Sequence, residues 1–150
     1  MFRRQEKPRR RGVEAMEAHV EELCAAHGIG LAGSSARGRA IRWRGGRLEI
    51  AIPPIRGQVS YFIALHEIGH LVGRGRSAPR LEAEANAWIW ALENSAFEPT
   101  DATLRSISKR LDGYLRWAQN RQHRRVPPRI PPREHAFWSL LTLGRGRQAA

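Results

Sequence analysis

The sequence predicts an α+β domain, and three observations carry that prediction. Apolar residues recur at helical spacing in four stretches, near 13–26, 58–72, 80–95 and 100–120. Between the first two, Ile41 and Trp43, then Leu48, Ile50 and Ile52, alternate with polar residues around Arg44-Gly45-Gly46-Arg47. That is the pattern of a half-buried antiparallel ribbon. Finally, 150 residues with 41% hydrophobic content suit one domain with one modest core.

Each element has its local reason. Met16, Val20, Leu23 and Cys24 form one stripe on the first helix, and Gly28 stops it. Cys24 reads as core, and a single cysteine excludes an internal disulfide. A glycine-rich linker, Gly30 to Gly38, leads to the ribbon, whose second strand ends at Pro53-Pro54. The second helix is apolar almost all round, with Phe62-Ile63-Ala64-Leu65 and Leu71-Val72 in its flanks, so it is expected to be central and buried. Gly73 and Gly75 turn the chain, and Pro79 precedes the third helix, where a helix start tolerates proline. Its apolar stripe is read as Ala85, Ile89 and Leu92. Leu104, Ile107, Leu111, Leu115 and Ala118 give the fourth helix its packing face. The stretch from Arg124 to Arg133, rich in proline and arginine, is expected to be stiff and extended. Ala136 to Leu141 is a short apolar end that folds back on the body or meets a second chain.

Inside the second helix lies His66-Glu67-Ile68-Gly69-His70. Residues four apart share a helix face, so both imidazoles point the same way with Glu67 beside them. Two neutral nitrogens and a carboxylate are what a catalytic zinc needs to hold and deprotonate a water. With six histidines in the chain the pattern can arise by chance. A buried helix carrying two imidazoles and a carboxylate, however, needs a partner for them, and a metal is one.

A third ligand is expected from the next helix, from Glu82 or Glu84. Glu82 is preferred because it shares a face with Asn86, four residues on, and Asn86 then supports the site from behind. Glu84 is about 200° further round and reads as a solvated charge near a helix start. Gly69 leaves room for a close approach on the motif helix.

These pieces resemble the ImmA/IrrE family of small metallopeptidases. Ala64-Leu65-His66-Glu67-Ile68-Gly69-His70 is similar to that family's A-H-E-x-G-H, and Glu82-Ala83-Glu84-Ala85-Asn86 to its E-x-E-A-N. A helix ending in Gly28-Ile29 and a Gly-turned ribbon precede them in the same order, so the resemblance covers roughly residues 13–95. It implies a minimal zincin, with a small antiparallel sheet packed on the active-site and ligand helices and extra helices at the C-terminus. It implies zinc on His66, His70 and Glu82, with Glu67 as catalytic base. Its implied substrate is an intracellular protein such as a phage or mobile-element repressor. In zincins generally a sheet strand lies along the cleft, and residues 48–52 are the expected one. Tyr61, Tyr114, His123 and His135 are candidates for the donor that stabilises the oxyanion.

The formal net charge of +12 sits at the ends. Residues 1–11 hold six basic groups and one acidic, residues 121–150 seven and one, and the rest is nearly neutral. The chain therefore divides into a basic tail (1–11), a catalytic body (12–120) and a basic, proline-rich extension (121–150). Basic ends attract nucleic acid or acidic proteins, or simply solubilise. The alternative to a peptidase is accordingly a zincin-fold regulator that binds nucleic acid or a repressor without cutting. No apolar run is long enough to span a bilayer, the N-terminus lacks a secretory pattern, and a cytoplasmic location is expected. The sequence leaves the oligomeric state open.

Overall fold

The computed structural model describes residues 8–75 and 77–143. Among them are five helices and three strands in the order α1 (Pro8–His27), β1 (Ile29–Leu31), β2 (Arg39–Arg42), β3 (Leu48–Ala51), α2 (Gln58–Val72), α3 (Arg80–Asn94), α4 (Asp101–Gln119) and α5 (Phe137–Leu141). The α+β class agrees with the sequence reading. No described helix is long and apolar enough to cross a membrane.

The sheet differs from the expected two-stranded ribbon. It has three strands in the order β1-β3-β2 and is mixed. The hairpin β2–β3 is antiparallel, pairing Ala40 with Ile50 and Arg42 with Leu48. The added strand, β1, runs parallel to β3, with Ile29 opposite Leu48 and Leu31 opposite Ile50. Gly28, at φ 65°, turns the chain from α1 straight into β1. Only Ile29 of this three-residue strand is buried, so it carries no alternation to read. β3, expected to border the cleft, is instead the central strand, and β2 is the edge beside it.

α2 forms the centre of the molecule. Tyr61, Phe62, Ala64, Leu65 and Ile68 are all at most 1% exposed. Val20 and Cys24 of α1, Ile50 of β3, Leu81 and Ala85 of α3, and Ile107, Leu111 and Ala118 of α4 join them in one core. Burial pushes the Cys24 thiol up to about 11, with Glu21 adding to the shift, so it is an inert packing group. The apolar end folds back on the body: Phe137 and Leu140 of α5 enter the same core. The Ser108 hydroxyl of α4 lies 2.9 and 2.7 Å from the carbonyl oxygens of Leu140 and Leu143. The Pro/Arg stretch is pinned by Trp138, whose indole N–H donates to the Pro131 and Pro132 carbonyls at 3.2 and 3.1 Å. The basic residues at 1–7 and 144–150 lie outside the described residues.

Two side chains on α2 fix its surroundings. Gln58 accepts from Thr100 N–H at 2.9 Å and from the Thr103 hydroxyl at 3.0 Å, and donates to the Glu98 carbonyl at 2.8 Å. Tyr61 is fully buried, and its hydroxyl bonds His19 Nδ1 and accepts from Ala96 N–H. Tyr61 is thus a structural tie between three elements, not an oxyanion donor. Tyr61→Phe leaves two polar groups without their partner. It should lower unfolding free energy by about 1–3 kcal/mol in denaturant titration.

Candidate metal centre and cleft

The geometry of the site follows from a close contact between α2 and α3. A Cβ added at Gly69 would lie 2.7 Å from the Ala87 carbonyl oxygen and 3.2 Å from Ala87 Cα. Only glycine lets the two backbones approach so closely, as the sequence reading of Gly69 anticipated. The contact also selects which face of α3 meets the histidines. Its buried residues are Leu81, Glu84, Ala85, Ala87, Trp88 and Ala91. Glu84 lies one turn before Ala87, on the docked face.

The third acid at the histidines is therefore Glu84, and the expectation of Glu82 is corrected. Glu84 Oε2 is 2.9 Å from His66 Nε2 and 3.3 Å from His70 Nε2, while the two Nε2 atoms are 3.0 Å apart. Glu82 points elsewhere, with Oε1 3.0 Å from Arg129 Nε in an ion pair that anchors the Pro/Arg stretch to α3. Asn86 does not flank the histidines either. Its side chain presses on the α2–α3 turn, where a Cβ at Gly75 would come 2.4 Å from Nδ2. The stripe read as Ala85, Ile89 and Leu92 does pack on the core, but Ile89 and Leu92 lie at its half-buried margin and the fully buried face runs through Leu81, Glu84, Ala85, Trp88 and Ala91. A sequence signal did exist. A glycine on one helix calls for a small residue on its partner, and Ala87 places Glu84 inside the buried stripe.

The donor set fits a metal. His66, His70 and Glu84 are the one such His/Cys/Asp/Glu group among the described residues. Ligand atoms around a tetrahedral zinc, with bonds of about 2.0–2.1 Å, stand about 3.3 Å apart, and these stand 2.9, 3.0 and 3.3 Å apart. Three protein donors leave a fourth position for water or substrate. Burial holds His66 neutral, against the raising influence of Glu84, and a neutral imidazole is the ligand form. His70 is desolvated too, but its hydrogen bond to Glu84 wins and raises it. Glu84 itself is desolvated, yet the two histidine hydrogen bonds hold it well below the usual carboxylate range. His66 Nδ1 is buried without a hydrogen-bond partner. Its ring is oriented instead by stacking on Trp88, centroids 4.0 Å apart and planes at 27°.

Glu67 lies beside this group, 7% exposed, and burial pushes its carboxyl up to about 7, with His70 opposing the shift. The loop before β2 roofs it. A Cβ at Gly38, where φ is +78°, would sit 3.1 Å from Glu67 Oε1 and 3.2 Å from Ile63 Cγ2. The glycine-rich linker is thus part of the site wall, a role that its composition did not reveal.

The cluster opens into a cleft of about 960 Å³. β2 and the preceding loop form one wall with Arg37, Arg39 and Arg42, while Arg80 of α3 and Arg110 and Tyr114 of α4 form the other. Arg42 is fixed by donating to the Leu71 carbonyl at 2.9 Å, near the end of α2. Arg80 stacks over Tyr114 and Trp117. Burial and the nearby Glu84 charge raise the Tyr114 pKa and keep its hydroxyl a hydrogen-bond donor. Of the four oxyanion candidates only Tyr114 lines the cleft. His123 is exposed beyond α4, and His135 Nδ1 accepts from Phe137 N–H at the start of α5.

Gly69→Ala tests the contact that assembles the site. Backbone must move to admit the methyl, at a cost of about 1–3 kcal/mol, and α3 carries Glu84 away with it. The expected result is a lower unfolding midpoint together with weaker zinc affinity, read by chelator competition.

No family model matches the chain, and no curated protein or solved structure is significantly similar to it.

Proposed function

We propose that the protein is a zinc-dependent peptidase of minimal zincin type, holding its metal on His66, His70 and Glu84. The observation that carries this reading is the convergence of two Nε2 atoms and Glu84 Oε2 within 3.3 Å beside a buried Glu67. A site that only held a metal would have no use for a further desolvated carboxylate. Zinc bound there would supply the Lewis acidity that activates a water and polarises a carbonyl.

The chain's own groups do the rest. Glu67, tuned by burial to about 7, takes the proton of the attacking water and returns it to the leaving amine. The Tyr114 hydroxyl, whose ring lies against Arg80 on the cleft wall, donates to the developing oxyanion. Edge strand β2 borders the cleft and offers unpaired backbone groups to an extended peptide. The ImmA/IrrE resemblance of the two motifs supports the same reading, with the ligand moved from the first to the second glutamate of Glu82-Ala83-Glu84-Ala85-Asn86. It suggests as substrate an intracellular repressor of a mobile element.

The test is co-expression with regulators encoded nearby, wild type against a chelator-stripped control in lysate, with cut products read by mass spectrometry. Cleavage that zinc restores supports the reading. A salt-sensitive shift of DNA with no cleavage of any protein would support the nucleic-acid-binding alternative instead.

A further inference from the structure

Apart from the contact of Arg80 with Tyr114, the arginines of the cleft are not used in holding metal or moving protons. Arg37, Arg39, Arg42, Arg80 and Arg110 stand on β2, the loop before it, α3 and α4 around one opening, and all five are exposed. Among the described residues the only acids lining the same cleft are Glu67 and Glu84, both committed to the centre. The body from 12 to 120 has 13 basic and 12 acidic residues, so five arginines at one opening are a strong local excess. The side-chain ion pairs among the described residues include none of the five. Arg42 and Arg80 are nevertheless held in place, by the Leu71 carbonyl and by Tyr114 and Trp117.

We propose that this cleft selects acidic peptide segments, with Asp or Glu side chains near the bond at the metal centre. The proposal rests on the peptidase reading for its cleavage step and on the arginine rim for its selectivity. Arginines of β2 and its preceding loop and of α3 and α4 line the same opening as the cluster, so acidic side chains of a bound peptide meet several guanidinium groups. Guanidinium and carboxylate match as planar, two-pronged partners. A peptide is favoured over a nucleic acid because β2 is an open sheet edge: it pairs with backbone N–H and C=O groups, which a phosphate backbone lacks. Since the arginines face water, each contact is modest and screened by salt, and selectivity comes from several together.

The experiment uses the full chain, zinc-loaded, as Glu67→Gln for capture and as wild type for cleavage. A degenerate peptide library is passed over immobilised protein, and the retained peptides are sequenced by mass spectrometry. One captured peptide is then compared with its Asn/Gln counterpart by fluorescence anisotropy, against Arg39→Gln and Arg110→Gln. The expected result is enrichment of Asp and Glu and roughly tenfold weaker binding when they are neutralised. Each arginine variant should erase part of that preference, and added salt should weaken it further. An uncharged or basic retained set, no retained set, or equal preference in both variants overturns the proposal. So does displacement of the peptide by a single-stranded oligonucleotide at lower concentration. Acidic capture without cleavage by the wild type would leave the selectivity standing and refute the peptidase reading.

Discussion

Replacing Glu84 by alanine should weaken zinc binding by more than about a hundredfold, whereas Glu82→Ala should leave it within a few-fold of wild type. The floor comes from groups that merely support ligands, whose loss costs about 10–100-fold; loss of a ligand exceeds that. Glu84 Oε2 is the atom common to both histidine contacts, at 2.9 and 3.3 Å. Glu82 contacts Arg129, whose side chain is 59% exposed, and such a pair is worth about 0–1 kcal/mol. Glu82→Ala should therefore loosen the Pro/Arg stretch a little and leave the centre alone. Competition against a chromophoric chelator measures both variants directly. Equal affinities would mean that the cluster is a hydrogen-bonded trio and no more.

The second large effect is expected at Glu67. Glu67→Gln keeps the size of the side chain and removes its basicity, so zinc content should stay at the wild-type level while turnover falls by about 10²–10⁴. Zinc stays because Glu67 is not among the three converging donors. Turnover should fall because, in the proposed peptidase, the buried carboxyl near 7 accepts the proton, and an amide cannot take its place. Single-turnover cleavage of an identified substrate separates the two readouts. Wild-type rates in Glu67→Gln would remove this residue from the mechanism.

How much of this was written in the sequence differs from element to element. The helices were legible because their stripes are long: Val20 and Cys24, or Ile107, Leu111, Leu115 and Ala118, repeat often enough to fix a face. The His66–His70 pair was legible for the same reason, since helical spacing alone makes the two imidazoles neighbours. β1 was hidden because three residues with one buried side chain carry no period. The acid that meets the histidines was misplaced because α3 is amphipathic in a shallow way, with alanines on several sides. Which face docks depends on the Gly69–Ala87 contact, a tertiary fact. The roof at Gly38 and the arginines of α3 and α4 were hidden for a related reason. They come from segments far apart in sequence and acquire meaning only where the fold brings them to one opening.

The proposed function stands on a zinc centre made by His66, His70 and Glu84. Anomalous diffraction at the zinc edge, on crystals of the zinc-loaded protein, tests it most directly. One strong peak bounded by the two Nε2 atoms and the Glu84 carboxylate is the predicted result. No peak there, or a peak bonded to Glu82 in place of Glu84, would contradict it.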